Sequence, residues 1–76
     1  MIKSAYTALN PEKLLLSKWT AVHPQHKEKH FLVTELIRNE QDKIVACLLE
    51  AIINHQEYEL DWQQLKDLSQ WLPGWR

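Results

Sequence analysis

Three histidines fall at the spacing H-x2-H-x3-H, His23, His26 and His30, and a single cysteine, Cys47, follows. Imidazole and thiolate are zinc-ligand types, and four of them would complete a tetrahedral site. The rest of the zinc pattern is missing. No CxxC pair occurs, and Cys47 lies inside the apolar run KIVACLLEAIIN, where a small buried hydrophobe is the ordinary role. No metal and no cofactor is expected.

The same stretch carries Lys13, Lys18, Lys27 and Lys29. It forms a weakly basic edge over 13–30 that could touch phosphate, more strongly once the histidines protonate near their usual pKa of about 6.5. Trp19 and Phe31, interleaved with that charge, could stack on bases and so favour RNA or a single strand. The plainer role of such a run is a solvated loop and strand edge. Catalysis has less to stand on. Glu57, Glu59 and Asp61 alternate along one exposed face, whereas a general acid or base needs a carboxylate in a pocket with a shifted pKa. No Ser-His-Asp logic is present, and a single glycine, Gly74, cannot build a phosphate-cradling loop. A non-enzyme is the expectation.

Four tryptophans, Trp19, Trp62, Trp71 and Trp75, dominate what remains. Exposed, they could form a platform for bases or an aromatic cage for a methylated cation. Buried, they would be core and clamp. The chain has 76 residues, enough for one domain with a marginal core, and one cysteine allows no internal disulfide. Burying about 150–250 Å² per indole is the remedy left to it, so the structural role is favoured. The lack of disulfides suits a reducing, cytoplasmic setting. No signal-peptide core opens MIKSAYTALN, and no stretch approaches the roughly 20 apolar residues of a membrane span. Net charge is −1, which gives no general attraction to nucleic acid or anionic membrane.

The elements that must position these residues are short. Residues 1–9 read as a loose arm, and Asn10-Pro11 marks an element start. LLLSKWTAV over 14–22 suits a strand, HPQHKEKH over 23–30 a polar loop, and HFLVTELIR over 30–38 a second strand. NEQDK over 39–43 reads as a turn without the customary glycine. KIVACLLEAIIN over 43–54 is apolar on both faces as a strand and has a good stripe as a helix, so periodicity leaves both open and leans helical. EYELDW alternates strictly, with Tyr58, Leu60 and Trp62 on one side. Asp61 opens a helical turn, and Pro73-Gly74 can swing Trp75 back onto the body.

The series N-P-x-K-L-L-L-S-K-W-T-A-V, K-H-F-L-V-T, L-E-A, L-D-W-x-x-L-K-D and W-x-x-G-W, running from Asn10 to Trp75, resembles the small bacterial Trp-rich protein family, whose function is not established. The resemblance implies a stand-alone bacterial protein whose tryptophans act as one structural set. It implies no catalytic residue.

Together these readings predict a mostly-β protein. Four to five antiparallel strands over 10–76 would form a small SH3-like or Tudor-like barrel, with one or two short helical turns near the C-terminus and a Trp clamp closing its end. The expected function is a non-catalytic binding module for a protein or peptide partner, with RNA as the alternative. The candidate surface comprises Lys18, Trp19, His23, His26, Lys27, Lys29, His30, Trp71 and Trp75.

Overall fold

The computed structural model describes residues 9–76. The arm expected over 1–9 lies outside them apart from Leu9, which packs against the core. A 3-10 turn, Pro11–Lys13, leads into β1 (Lys18–Gln25), β2 (Glu28–Arg38), β3 (Ile44–Ala51) and β4 (Glu57–Leu60). A second 3-10 turn, Trp62–Lys66, precedes β5 (Trp71–Pro73). Asn10 caps the first turn by accepting from the Glu12 N–H, and Asp61 caps the second by accepting from the Gln63 N–H.

All five strands are antiparallel in one sheet, ordered β4-β3-β2-β1-β5. The mostly-β expectation holds at this level. The ladders leave β4 and β5 as the two edges, so the sheet is open, and the closed barrel anticipated from strand count is not what the pairing describes. Four residues in β4 and three in β5 offer little backbone for a further ladder. Among the described residues, no helix is long and apolar enough to cross a membrane.

Register explains the core. Trp19 sits opposite Phe31, and Phe31 opposite Ala51; Val33 faces Leu49, and Cys47 faces Leu60. Because side chains alternate with period two, these residues share one face of the sheet. Among the described residues, Leu14, Trp19, Phe31, Val33, Cys47, Leu49, Ala51 and Leu65 form the buried cluster there. Residues 61–70 run from the β4 edge to the β5 edge, and their Leu65 is wholly buried in that cluster.

Several local expectations are corrected. The strand expected over 14–22 begins only at Lys18, because Leu16 adopts a left-handed φ of 65° and turns the chain. Leu16 and Ser17 nevertheless bond with Val33 of β2. HPQHKEKH is not a loop but the tip of the β1–β2 hairpin. His26 and Lys27 both have positive φ, 54° and 62°, the geometry of a two-residue primed turn. Residues other than Gly, Asn and Asp rarely adopt it, so the turn was unreadable from their types. The turn over 39–43 is real, with Asp42 at φ 62° in place of a glycine. Asn39 Oδ1 accepts from the Gln41 and Lys43 N–H groups and stiffens it. KIVACLLEAIIN is β3, not a helix. Its neighbours β2 and β4 occupy both of its hydrogen-bonding edges, and that tertiary pairing overrides the helical stripe.

The tail is bound by more than its strand. Thr20 Oγ1 donates to the Gly74 carbonyl at 2.7 Å and accepts the Arg76 N–H at 3.0 Å. Gly74 has φ 79°, as its turn requires. The Trp75 indole N–H donates to the Phe31 carbonyl at 2.9 Å.

Two outcomes follow. Removing residues 70–76 is expected to destabilise the protein by about 3–5 kcal/mol, the scale of losing a buried aromatic, and an unchanged thermal midpoint would contradict this. Placing Asn at 26 and Gly at 27 (H26N with K27G) is expected to raise stability by about 0.5–2 kcal/mol, because those types reach positive φ without steric cost; urea unfolding reads it directly.

Candidate functional site: an aromatic groove floored by a carboxylate

A groove of about 340 Å³ opens on the core face, between the tip of the β1–β2 hairpin and the β4 and β5 edges. Phe31, Tyr58 and Trp71 give it an aromatic wall, and Ala21, Leu49 and Leu60 add aliphatic surface. The Trp71 ring meets Phe31 edge-on at 5.3 Å, and Tyr58 meets Phe31 edge-on at 6.3 Å, so Phe31 is the ring on which the other two are set. The polar contributions come from His23, Gln25, His26, Glu28 and Gln70.

Glu28 is the unusual member, a carboxylate only 6% exposed. It reaches this position through an irregularity in the β1–β2 ladder between the Thr20 and Gln25 pairs, which changes the alternation near the hairpin tip. Its Oε1 accepts the Tyr58 hydroxyl at 2.7 Å, and its Oε2 accepts an Asn54 amide N–H at 2.7 Å. The Tyr58 bond first, then the Asn54 bond, hold its pKa below the usual 4.5 against the opposing cost of burial, with His26 charge helping. The same bond and burial raise the Tyr58 phenol above its ordinary value. Glu28 is therefore an anion at neutral pH, in the groove that three rings line.

Indole hydrogen bonds sort the four tryptophans. Trp19, 2% exposed, donates to Ser17 Oγ at 2.8 Å, and Ser17 in turn donates to the Leu14 carbonyl. Trp62, half-buried, donates to the Ile44 carbonyl at 3.1 Å and carries the Lys66 ammonium 4.9 Å from its ring centre. Trp75 donates to Phe31, as above. Trp71 has no acceptor for its N–H among the described residues, and it is the tryptophan that lines the groove.

The candidate residues named from sequence thus divide. His23, His26 and Trp71 come together in the groove. Trp19 is core and unavailable to a partner. Lys18, His30 and Trp75 gather on the opposite face: the Lys18 ammonium lies 4.8 Å from the Trp75 ring centre, the rings of His30 and Trp75 are 6.1 Å apart, and His30 Nε2–H donates to the Arg76 main-chain oxygen at 2.8 Å. Lys27 and Lys29 stand exposed at the hairpin tip. The clamp expected of Trp71 and Trp75 takes an altered form, since the two rings lie on opposite faces of the sheet.

Among the described residues, the zinc-ligand types named from the sequence do not converge. His30 is on the other face from His23 and His26. Cys47 is wholly buried, and burial first, then the Asp61 charge, pushes its thiol up to about 11. Among the described residues no group of three or more His, Cys, Asp or Glu side chains could hold a metal ion.

Sequence reasoning missed Glu28, Phe31 and Tyr58 as groove residues. The alternation in EYELDW did place Tyr58 and Leu60 on one face. Nothing in HPQHKEKH marks Glu28 as buried, because the ladder irregularity that turns it inward is a tertiary feature.

An open antiparallel sheet, covered on its core face by a ten-residue crossing and grooved beside it, defines the class: a small mostly-β protein with an aromatic groove. Residues 17–76 match the Tryptophan-rich protein family DUF2389, whose function is unknown, and the chain belongs to that family. Comparison with curated proteins and with solved structures gave no match.

Acid should weaken this site. Glu28, with Glu12 bonded to Arg38 and Asp67 bonded to Ser69, has a pKa below its ordinary value in the folded chain. Such groups contribute stability above their unfolded pKa and lose it as pH falls through the folded one. The urea midpoint is expected to be flat near neutrality and to fall as pH drops below about 4, more shallowly in Glu28→Gln.

Proposed function

We propose that this protein is a non-catalytic binding module of the bacterial cytoplasm. It would hold a segment of a protein or peptide partner in the groove, in the manner of small SH3-like barrels. The carrying observation is the disposition of the indole N–H groups: three are committed to Ser17, Ile44 and Phe31, and the uncommitted one, on Trp71, lies in the groove. Aromatic rings with a polar handle at a concave surface are what recognition sites use. The groove's chemistry also favours binding over turnover, since both oxygens of its carboxylate are engaged by Tyr58 and Asn54.

RNA binding is the second reading. The observation favouring it is Trp75, 43% exposed, with Lys18 and His30 beside it on the other face. A ring already covered by an ammonium and tied through its N–H is a poorer stacking platform than Trp71.

Panning a random peptide display library separates the two. Selected peptides are expected to shift the Trp71 indole NMR resonance and to bind at least about tenfold more weakly to Tyr58→Ala, with little change between 50 and 200 mM salt. Peptides indifferent to Tyr58→Ala would remove the groove from the reading. Nucleic acid bound at low salt and lost by roughly a thousandfold over the same range would favour the alternative.

A further inference from the structure

Resting on the groove reading, the geometry points to a more specific ligand: we infer that the groove receives a cationic side chain, the lysine, methylated lysine or arginine of a basic partner segment. Its charge would lie against Glu28 and its alkyl stem among Phe31, Tyr58 and Trp71.

Charge is the first ground. A buried carboxylate is ordinarily paired with a cation or converted to its neutral form. Glu28 is neither. Its hydrogen bonds favour the ionised form, and among the described residues no lysine or arginine lies within salt-bridge distance of it. Its two partners are neutral donors, each taking one acceptor position on one oxygen. A carboxylate has about four such positions, so capacity remains for a charged donor.

The aromatic wall is the second ground. Phe31, Tyr58 and Trp71 line the same groove as Glu28. Ring faces attract cations, more strongly out of water, and an anion beside several rings selects a cation over an apolar side chain. Volume agrees: about 340 Å³ is at the small end of ligand sites, enough for one side chain and its neighbours.

Surroundings are the third. The neighbouring β4 edge is acidic: exposed Glu57, Glu59 and Asp61 alternate with Tyr58 and Leu60 and so stand on the face of the sheet away from the groove, as does the Glu50–His55 pair. From Glu50 to Trp75 the chain has five acidic residues and one lysine, Lys66. A basic partner segment would be drawn to that flank. His23 and His26 form the other rim.

Glu28 could instead serve only to tie β2 to the 52–56 turn and β4. A neutral isostere separates the roles. Four blocked amino acids serve as probes, Nα-acetyl N-methylamides of lysine, trimethyllysine, arginine and norleucine. Each is titrated to about 10 mM into nitrogen-15-labelled full-length protein near pH 7.5, with the four indole resonances read by NMR. Trp71 should shift saturably with at least one cation, at least about tenfold more tightly than with norleucine, while the Trp19 and Trp62 resonances stay put. In Glu28→Gln that preference should vanish. Equal binding of norleucine by the native protein would overturn the cation and leave the groove standing. No saturable shift with any probe would overturn both. A preference that survives Glu28→Gln in folded protein would overturn the role of Glu28. The native comparison of lysine with norleucine decides the cation question even where the variant folds poorly.

Discussion

One connection constrains the whole molecule. β4 and β5 are the opposite edges of a five-stranded sheet, and consecutive elements of the chain must join them. Across four strand spacings of about 4.8 Å the gap approaches 19 Å if the sheet is flat. Residues 61–70 cover it with a 3-10 turn, a single bridge residue at Asp67 and a further turn, not with a strand. Their route passes over the core face and delivers Leu65 into the cluster that includes Trp19, Phe31 and Leu49. The crossing does for this open sheet what closure does for a barrel: it covers the apolar face without a sixth strand. It covers that face incompletely, and the part left open is the groove.

The tryptophans divide the resulting labour. Trp19 supplies core area and relays its N–H through Ser17 to Leu14, so burial leaves no orphaned donor. Trp62 ties the crossing to the start of β3 through Ile44. Trp75 ties the tail to β2 on the outer face. These three act as fasteners between elements distant in sequence, the part a disulfide could not play in a chain with one cysteine. Trp71 belongs to β5 by backbone and to the groove by side chain. It is thus at once structural and available.

Glu28 unites fold and site in a similar way. Its bonds to Asn54 and Tyr58 fix the 52–56 turn and the β4 edge against the hairpin, and they leave an ionised group in the aromatic groove. An apolar residue there would hold the elements by packing alone. The carboxylate adds a sign to the groove, and hence a preference among ligands.

The sequence by itself determined composition-level facts and local alternation. The lack of a cysteine pair, the cap at Asp61, the turn at Pro73-Gly74 and the strand at Glu57–Leu60 are all written in residue type and period two, because each depends on composition or on neighbours a few positions away. The tertiary structure decided the rest. β3 became a strand because two neighbours claimed its hydrogen-bonding edges, against its own helical stripe. The hairpin tip formed at His26-Lys27, against residue preference, because the pairing of β1 with β2 demanded positive φ there. Burial of Glu28, and its meeting with Tyr58 thirty positions away, depend on a ladder irregularity and on the β2–β3–β4 order. Such contacts are set by which strands lie side by side, and local sequence carries no record of that.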